Sequence, residues 1–323
     1  MFTKTQKILA AILVVQIFLV AFIYFPRNSA TPEPVALLGD LTADQIAKMA
    51  ISDVSGNQIV LEKKDGAWVL PDVEDYVANS EKIQTALDSL IGMNSANIAT
   101  ETAASHVQLQ VAETKFQRKV DLTLTDGTMK TIYLGTSPNY QDTHVRIDGE
   151  DKVYLVKDLL ASSFSPSASG WVDTGFMALV ESDVKSITIQ NKNGTFTFNQ
   201  DSNSKWQFDG TLEEGMNYSD ATITSLVSDV ITMRMVEPVG KNIDTSYGFD
   251  QPAAVVTITS TDANGAAIKT TLILGAQDES GNYFARVNDQ EYIVKVASYY
   301  GDEITDFTET SFLVPESTPT AVQ

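Results

Sequence analysis

The chain contains an internal repeat, and this repeat limits the possible folds more than any other feature of the sequence. Apolar residues, glycines and a tryptophan of the first half recur in the second half, at a spacing that drifts by only a few residues. The matched pairs include Ile46 and Val184, Ile51 and Ile189, Trp68 and Trp206, Ile83 and Ile223, Leu90 and Val230, and Leu134-Gly135 and Leu274-Gly275. The pattern predicts two copies of one domain. Features shared by the copies are therefore expected to serve the fold rather than a specific chemistry.

The two copies also end alike, which sets the predicted domain limits. The stretch from Trp171 to Met177 is similar to the stretch from Phe307 to Leu313, with Trp171 matched to Phe307. We place the first repeat domain at residues 41–177 and the second at residues 178–314. The predicted flanking segments are a membrane anchor at 1–25, a proline-containing linker at 26–40 and a disordered tail, rich in Pro, Ser and Thr, at 315–323.

The apolar pattern within each copy predicts an α+β fold. Short runs of alternating apolar residues, separated by Gly, Asn and Asp, are typical of antiparallel strands with one buried face. One stretch per copy has helical spacing instead, from Ile83 to Ile91 and from Ile223 to Ile231. Each copy is predicted to be a mostly antiparallel sheet with one packed helix, in the order strand pair, helix and four-strand meander. Ser80 and Ser219, each followed by an acidic residue, are the predicted helix caps.

A single transmembrane helix is predicted to precede the two domains. The stretch from Ile8 to Phe25 has one polar member, Gln16, and as a helix it would be about 27 Å long, close to the thickness of the bilayer interior. Lys4 and Lys7 precede it, so the N-terminus is expected in the cytoplasm and the C-terminal domains outside it. This predicts a single-pass protein of the cell membrane.

The alternative for this segment is a cleaved signal peptide. Asn28-Ser29-Ala30 is the one small-residue cleavage candidate, and asparagine stands where alanine is usual. The apolar run is also longer than a typical signal core. We therefore favour an uncleaved signal-anchor, with the cleaved signal as the alternative.

Composition excludes several functional classes. The chain has no cysteine, which excludes disulfides, thiolate metal sites, cysteine nucleophiles and an acylated lipoprotein cysteine. The formal net charge of −20 is unfavourable for nucleic acid or anionic lipid head groups as partners. No nucleic-acid partner, metal or other cofactor is predicted.

Short motifs give the sequence a resemblance to one family. They are the strand pair ending in Asp65-Gly66-Ala67-Trp68 and Asn203-Ser204-Lys205-Trp206, the stretch Tyr247-Gly248-Phe249-Asp250-Gln251-Pro252, and the hairpins around Leu274-Gly275 and Arg286. The chain resembles domain of unknown function 4340 in two tandem copies. In the first copy Val111-Ala112-Glu113-Thr114 stands in place of the tyrosine-containing stretch. The resemblance implies a single-pass protein with extracytoplasmic domains near ABC-type transport systems of the gliding-motility kind, and no catalytic residue.

A search for catalytic groups finds few candidates. The two histidines, His106 and His144, are expected to be structural or exposed, and no nucleophile elbow or phosphate loop is present. The stretch from Asp201 to Lys205 begins like a calcium loop but lacks the required glycine and closing glutamate, which favours a turn. Trp68 and Trp206 are predicted core residues.

Arg146 and Arg286 are the shared polar residues of most interest. Each lies in a predicted strand just before a turn, in an otherwise acidic chain. One interpretation is an arginine fork that binds a carboxylate or a carbohydrate in each domain. The other is a structural ion pair between neighbouring strands, which recurrence in a duplicated fold favours.

These observations predict a membrane-anchored, extracytoplasmic, non-enzymatic protein. Its expected role is that of an accessory or interaction subunit, with protein partners in an envelope or ABC-type transport complex. The first alternative is a cell-surface module that binds glycan or wall polymer, which would need a groove lined by aromatics. The second is an envelope hydrolase, which would need clustered carboxylates near His144 or Arg286. The junction around Trp171 to Leu179 is the predicted partner position.

Overall fold

The computed structural model describes residues 3, 4, 6, 12–17, 20, 33–212, 214–288 and 290–316. Residues 1–35 and residues 36–323 form two compact units. In the first unit, residues 12–17 are α-helical and exposed, and most of the predicted anchor from Ile8 to Phe25 lies outside the described residues. Among the residues that are described, no helix combines the length and the apolar character needed to cross a membrane.

The first repeat forms a nine-stranded sheet with antiparallel pairing. Its strands and helices are β1 (Ile46–Ser52), β2 (Gln58–Lys64), β3 (Ala67–Leu70), β4 (Tyr76–Val77), α1 (Ser80–Ile91), β5 (Ile98–Thr100), α2 (His106–Leu109), β6 (Val111–Ala112), β7 (Lys115–Phe116), β8 (Arg118–Leu124), β9 (Met129–Leu134), β10 (Thr143–Ile147) and β11 (Val153–Val156). The sheet order is β4-β3-β2-β1-β8-β9-β10-β11-β5, and β6 and β7 form a separate small hairpin.

The second repeat forms an eight-stranded sheet, also antiparallel. Its elements are β12 (Val184–Asn191), β13 (Gly194–Gln200), β14 (Trp206–Phe208), β15 (Met216–Tyr218), α3 (Asp220–Ile231), β16 (Met235–Gly240), β17 (Ala254–Thr261), β18 (Ala267–Gln277), β19 (Tyr283–Val287), β20 (Ile293–Val296), α4 (Ser298–Thr305) and β21 (Leu313–Pro315). The order is β14-β13-β12-β17-β18-β19-β20-β16, and β15 pairs with β21.

The duplication predicted from the sequence is present in the sheets. The eight strands from β3 through β1 and β8 to β5 follow the same order as the eight strands from β14 to β16. Trp68 and Trp206 lie in matching strands, and both indoles are buried. The prediction of an α+β fold with mostly antiparallel sheets is confirmed, and so is the core position of both tryptophans.

The sequence did not predict the strand that follows each long helix. The chain leaves α1 into β5 and leaves α3 into β16, and these strands pair with β11 and β20, the last strands of the meanders. Both pairings shift register, and β16 contains Pro238, so neither strand shows regular apolar alternation. The short helix α4 was also not predicted.

The helix caps agree with the prediction in one repeat and differ in the other. The Ser219 side chain accepts a hydrogen bond from the Thr222 N–H and caps α3 as predicted. In the first repeat Ser80 is the first helical residue, and Asn79 is the cap, accepting from the N–H groups of Glu81 and Lys82. The prediction for Ser80 was therefore wrong. Asparagine and serine are both favoured at this position because their short side chains reach the unpaired N–H groups.

The end of each repeat is marked by one hydrogen bond. The Asn79 N–H donates to the Trp171 carbonyl at 2.7 Å, and the Ser219 N–H donates to the Phe312 carbonyl at 2.8 Å. A 3-10 turn precedes each carbonyl, at Ala168–Gly170 and at Glu309–Ser311. Trp171 is therefore the counterpart of Phe312, and its predicted match to Phe307 was wrong.

Gly175 to Met177 explain that wrong alignment, because they begin the second repeat. The Phe176 and Met177 N–H groups bond the Met233 carbonyl after α3, as the Leu37 N–H bonds the Met93 carbonyl after α1. The apolar pair Phe176-Met177 thus corresponds to the entry segment near Leu37, although it looks like the end of the first repeat in sequence. The predicted boundary between residues 177 and 178 falls next to this segment.

The repeated Leu-Gly pair is required by a close approach of two segments. A Cβ at Gly135 would collide with the Leu109 carbonyl, and a Cβ at Gly275 would collide with the Tyr247 carbonyl. The segment after Leu109 therefore occupies, in the first repeat, the place of the tyrosine-containing stretch that begins at Tyr247. A single buried apolar cluster, which includes Trp68, Trp171 and Trp206, extends through both repeats.

Candidate functional site

The two repeats pack directly on each other, and Glu74 is at the centre of the polar part of this junction. Its carboxylate accepts a hydrogen bond from the Lys241 backbone N–H at 2.7 Å and another from the Asn242 side-chain amide. Its carbonyl accepts a hydrogen bond from the Tyr292 hydroxyl at 3.0 Å. Because a carboxylate bonded to backbone N–H groups is held firmly, these contacts fix the end of β16 against the first repeat.

The backbone on both sides is shaped for this contact. Glu74 has a left-handed conformation with φ of 51°, which turns its side chain out of the 3-10 turn Pro71–Val73. Gly240 ends β16 with φ of 144°, and a Cβ there would lie 3.5 Å from the Glu74 carboxyl carbon. Glycine is therefore favoured at this position by its backbone conformation and by the approaching carboxylate.

An open groove lies at this junction beside two tyrosines. Tyr76 and Tyr292 meet edge to face, with ring centroids 4.7 Å apart. Together with Val77, Asp173, Gly175, Phe176, Gln290 and Glu291 they line a groove of about 380 Å³, which we call the junction groove. Burial, reinforced by the charge of Asp173, raises the pKa of the Tyr76 hydroxyl. Asp173, Gly175 and Phe176 of the groove belong to the segment from Trp171 to Leu179, which the sequence analysis singled out.

A second, smaller cavity adjoins the junction groove and shares Gln290, Glu291 and Tyr292 with it. Its volume is about 300 Å³, and its other lining residues are Lys241, Ile243, Ile273, Arg286, Val287, Asn288 and Ile293. We call it the arginine cavity. The Lys241 ammonium pairs with Glu291 at 2.8 Å and lies 4.6 Å from the Tyr292 ring centroid, and the bond to Glu291 raises the pKa of Lys241.

Arg286 lines the arginine cavity with few internal partners. Its guanidinium carbon lies 5.1 Å from the Phe249 ring centroid. Within the described part of the chain, its Nε is the one buried side-chain nitrogen or oxygen that has no hydrogen-bond partner. A buried donor without an acceptor is unfavourable and is rare in folded proteins.

Arg146 occupies the matching position of the first repeat, and its contacts are different. Its Nε donates to the Val111 carbonyl at 2.7 Å, and its guanidinium carbon lies 4.4 Å from the Tyr133 ring centroid. A weaker contact reaches Asp148 at 3.8 Å, and the side chain is buried. The guanidinium therefore joins β10 to the hairpin of β6 and β7.

Another cavity, of about 700 Å³, also lies between the repeats and has an ion cluster at one wall. Residues of the first repeat such as Asn57 and Asp72 face Glu237 and Lys295 of the second. The Lys295 ammonium pairs with Glu237 at 2.9 Å and with Asp278 at 3.2 Å. Burial lowers the pKa of Lys295, but the bonds to both carboxylates outweigh it and the pKa is raised.

The histidines lie apart from these cavities. The His106 Nε2 is 2.8 Å from the Asp151 carbonyl oxygen, and the His144 Nδ1 is 2.9 Å from both the Thr136 hydroxyl and the Thr136 carbonyl. No contact between either ring and a carboxylate is present among the described residues.

Two further acidic groups lie outside these cavities. Asp201 accepts hydrogen bonds from the N–H groups of Asn203 and Lys205, so this stretch is a turn, as predicted. Glu303 has a raised pKa because of burial and the nearby charge of Asp229. No group of three or more potential metal ligands occurs in the described ranges.

The sequence singled out the segment from Trp171 to Leu179 and Arg286, but it did not single out Glu74, Lys241 or Tyr292. These three residues come together from segments far apart in the chain, and each is an ordinary surface type in sequence. The one usable signal is the acidic pair Glu74-Asp75, which follows a proline turn just before α1. Nothing in the sequence indicates its partners.

Comparison with known proteins gives one match. The model of the family described as Domain of unknown function (DUF4340) matches residues 68–246 and again residues 220–322, which makes two overlapping copies. No curated protein and no solved structure matches the chain. The two matches together span most of the sequence and include strands of both sheets, and the chain is therefore a member of the DUF4340 family.

Proposed function

We propose that this chain is a non-enzymatic interaction protein that binds its partner at the junction groove. The observation that carries the proposal is the groove itself, an open surface built by both repeats beside the Tyr76–Tyr292 pair. Its lining includes the aromatic side chains Tyr76, Phe176 and Tyr292, and aromatic side chains are enriched at protein interfaces. Because Val77 is 61% exposed within it, the groove has apolar surface available for contact.

The proposal includes the cellular location. The apolar segment from Ile8 to Phe25 is proposed to anchor the chain in the cell membrane, with both repeats outside the cytoplasm. Lys4 and Lys7 before the segment support this orientation. The proposed partner is a membrane protein of an envelope or ABC-type transport assembly, a role that the family resemblance supports.

Protease accessibility tests the location. Protease added to intact spheroplasts is expected to remove the chain beyond about residue 26, while Met1 remains the N-terminal residue of the mature protein. N-terminal sequencing that begins at Thr31 would instead show a cleaved signal. Protection of the repeats in intact spheroplasts would contradict an extracytoplasmic location.

Capture of the partner tests the groove. The Val77→Arg variant puts a long charged side chain into the groove at an exposed position and is expected to reduce co-purification of neighbouring transport-system membrane proteins about tenfold. Met129→Arg is the matched control, because Met129 is also exposed, at 65%, but lies in β9, away from the groove. Equal capture by both variants would contradict the proposed site.

The two alternative functions, a glycan-binding module and an envelope hydrolase, predict different outcomes. Binding of a wall polysaccharide that Val77→Arg removes would assign the groove to a glycan. The three tryptophans Trp68, Trp171 and Trp206 are buried, so stacking on a sugar would have to use tyrosines such as Tyr76 and Tyr292. Turnover of a glycan, peptide or ester, lost on changing one carboxylate or His144, would assign a hydrolase.

A further inference from the structure

Arg286 and Arg146 occupy the same position of the two repeats, but the Nε of Arg286 has no hydrogen-bond partner in the described structure, whereas that of Arg146 has one. Arg146 Nε donates to the Val111 carbonyl, whereas Arg286 Nε is buried without an acceptor. Both arginines lie in matching strands of matching sheets, β10 and β19. A fold that satisfies this arginine in one copy can do so in the other, so its unsatisfied state in the second copy calls for a separate explanation.

The surroundings of the two arginines differ in a consistent way. Backbone hydrogen bonds at the following turn are the same in both repeats, with Asp148 N–H bonding Thr131 and Asn288 N–H bonding Thr271, which fixes the correspondence. The first-repeat residues Asp148, Glu150 and Tyr133 have as counterparts Asn288, Gln290 and Ile273. Two acidic groups are thus replaced by amides, and the stacking ring is replaced by an aliphatic side chain.

The backbone acceptor is also altered. In the first repeat the chain after α2 forms the hairpin of β6 and β7, and the Val111 carbonyl in that hairpin accepts from Arg146. In the second repeat the corresponding stretch runs through Phe249 to Pro252, and no hairpin forms there among the described residues. Phe249 contributes a ring to Arg286 instead of a carbonyl.

We propose that the arginine cavity binds a carboxylate group carried on a short apolar body. The guanidinium offers neighbouring N–H groups that match the two oxygens of a carboxylate, and Lys241 supplies a second cation in the same cavity. Ile243, Ile273 and Ile293 form apolar walls that suit an aliphatic substituent. The inference deepens the proposed function and rests on it, since the partner at the adjoining junction groove would bring the carboxylate.

Because the whole protein is negatively charged, the arginine cavity attracts a carboxylate only at short range. A net charge of −20 repels anions at long distance, and Glu291 already pairs with Lys241. An entering carboxylate is therefore attracted by the local guanidinium rather than steered by the whole surface. Added salt, which screens the long-range repulsion more than the close contact, is expected to leave binding unchanged or to strengthen it.

The experiment measures binding of defined carboxylates to the full-length protein in detergent by calorimetry. The probes are N-acetyl-L-valine with its uncharged amide as matched control, and D-glucuronate with D-glucose as matched control. Binding at millimolar concentration is expected for N-acetyl-L-valine and not for its uncharged amide. Binding of D-glucuronate but not of N-acetyl-L-valine would assign the site to a sugar acid and would overturn the apolar-body inference.

Variants assign the binding to the cavity. Arg286→Met is expected to weaken carboxylate binding at least about tenfold, and Arg286→Lys, which keeps the charge but not the fork, to weaken it less. Lys192→Gln removes one cation at an exposed pair with Asp306 and is the control that leaves binding unchanged. Equal binding of acid and amide, no binding of either carboxylate, or full binding by Arg286→Met would overturn the inference. Partner capture that still depends on Val77 would then leave the proposed function standing.

Discussion

Arg146 and Arg286 occupy one position in two copies of one fold, and their environments differ sharply. Arg146 is buried, bonded through Nε to the Val111 carbonyl and stacked on Tyr133. Arg286 is partly exposed in a cavity, and its Nε has no acceptor in the described structure. The shared fold therefore does not by itself leave the Nε of this arginine without a hydrogen-bond acceptor. The first copy thus uses the residue to hold its own chain together, and in the second copy the guanidinium lines a cavity while its buried Nε has no internal acceptor.

A second difference between the repeats concerns charge. Lys295, Glu237 and Asp278 form an ion cluster in the second repeat, beside the cavity of about 700 Å³. Their counterparts in the first repeat are Leu155, Asn97 and Pro138, which carry no charge. The second repeat thus has a set of paired charges that the matching positions of the first repeat lack, although the two sheets have the same strand order.

The buried tryptophans that the two repeats share are expected to contribute most to stability. Trp68→Ala and Trp206→Ala are each expected to lower the free energy of unfolding by about 3–5 kcal/mol, because each removes a large buried ring. Since one apolar cluster runs through both repeats, each variant should unfold in a single transition that includes both sheets. Urea titration followed by circular dichroism measures this. Independent unfolding of the two repeats would show that the junction adds little to stability.

Replacing each of the two arginines is expected to change stability by different amounts. Arg146→Met is expected to cost about 2–3 kcal/mol of unfolding free energy, because it leaves the buried Val111 carbonyl without its charged donor. Arg286→Met is expected to change stability by less than about 1 kcal/mol, since no internal Nε bond is lost. Chemical denaturation of both variants in the same buffer compares them. Equal losses would mean that both arginines are structural.

The helix caps give a smaller contrast. Asn79→Ala is expected to cost about 1 kcal/mol, and Ser219→Ala somewhat less, because Asn79 accepts from two backbone N–H groups and Ser219 from one. Ser80→Ala, one residue inside α1, serves as the control and should cost little. Thermal unfolding of the three variants checks the order. A larger loss for Ser80→Ala than for Asn79→Ala would contradict the assigned cap.

The smallest effect is a pH dependence found in the second repeat. Burial disfavours the charged form of Asp278, but hydrogen bonds from the Asn282 N–H, the Lys295 ammonium and the Ser280 N–H outweigh it and lower its pKa. A lowered folded-state pKa gives stability that is present above the unfolded value of about 3.9 and is lost as pH falls through the folded value. Asp278→Asn should therefore be less stable than the wild type near pH 7, by less than about 1 kcal/mol for a screened pair, and the difference should shrink toward pH 3. Urea titrations across this range measure it, and a difference that grows toward low pH would contradict the assignment.

Much of the fold could be predicted because it depends on local patterns. The meander strands and both long helices follow from alternation and helical spacing, and the duplication made each copy a check on the other. The strands β5 and β16 could not be predicted, because they are short or irregular and are defined by pairing with β11 and β20, far away in sequence. The predicted alignment of the two repeat ends was wrong for a related reason. Phe176 and Phe312 are the same residue type, but Phe176 belongs to the start of the next repeat.

Less of the candidate site than of the fold could be predicted from the sequence. Arg286 stood out because it recurs as Arg146, yet the sequence could not show that their acceptors differ, since the Val111 carbonyl belongs to another part of the chain. Glu74 and Tyr292 are in contact although more than half of the sequence separates them, and such a contact leaves no periodic pattern in the sequence. A duplicated sequence thus indicates which positions to compare, and the three-dimensional contacts show which copy has changed.

The most direct measurement is the NMR signal of the arginine Nε–Hε groups during titration with a carboxylate. The Arg286 resonance is expected to shift as N-acetyl-L-valine is added, because the carboxylate binds the guanidinium to which this Nε belongs. The Arg146 resonance should stay unchanged, since its Nε–H is already bonded to the Val111 carbonyl. Assignment of the two signals comes from Arg286→Lys and Arg146→Lys. An unmoved Arg286 signal at saturating carboxylate, or equal shifts of both signals, would contradict the division of roles between the two repeats.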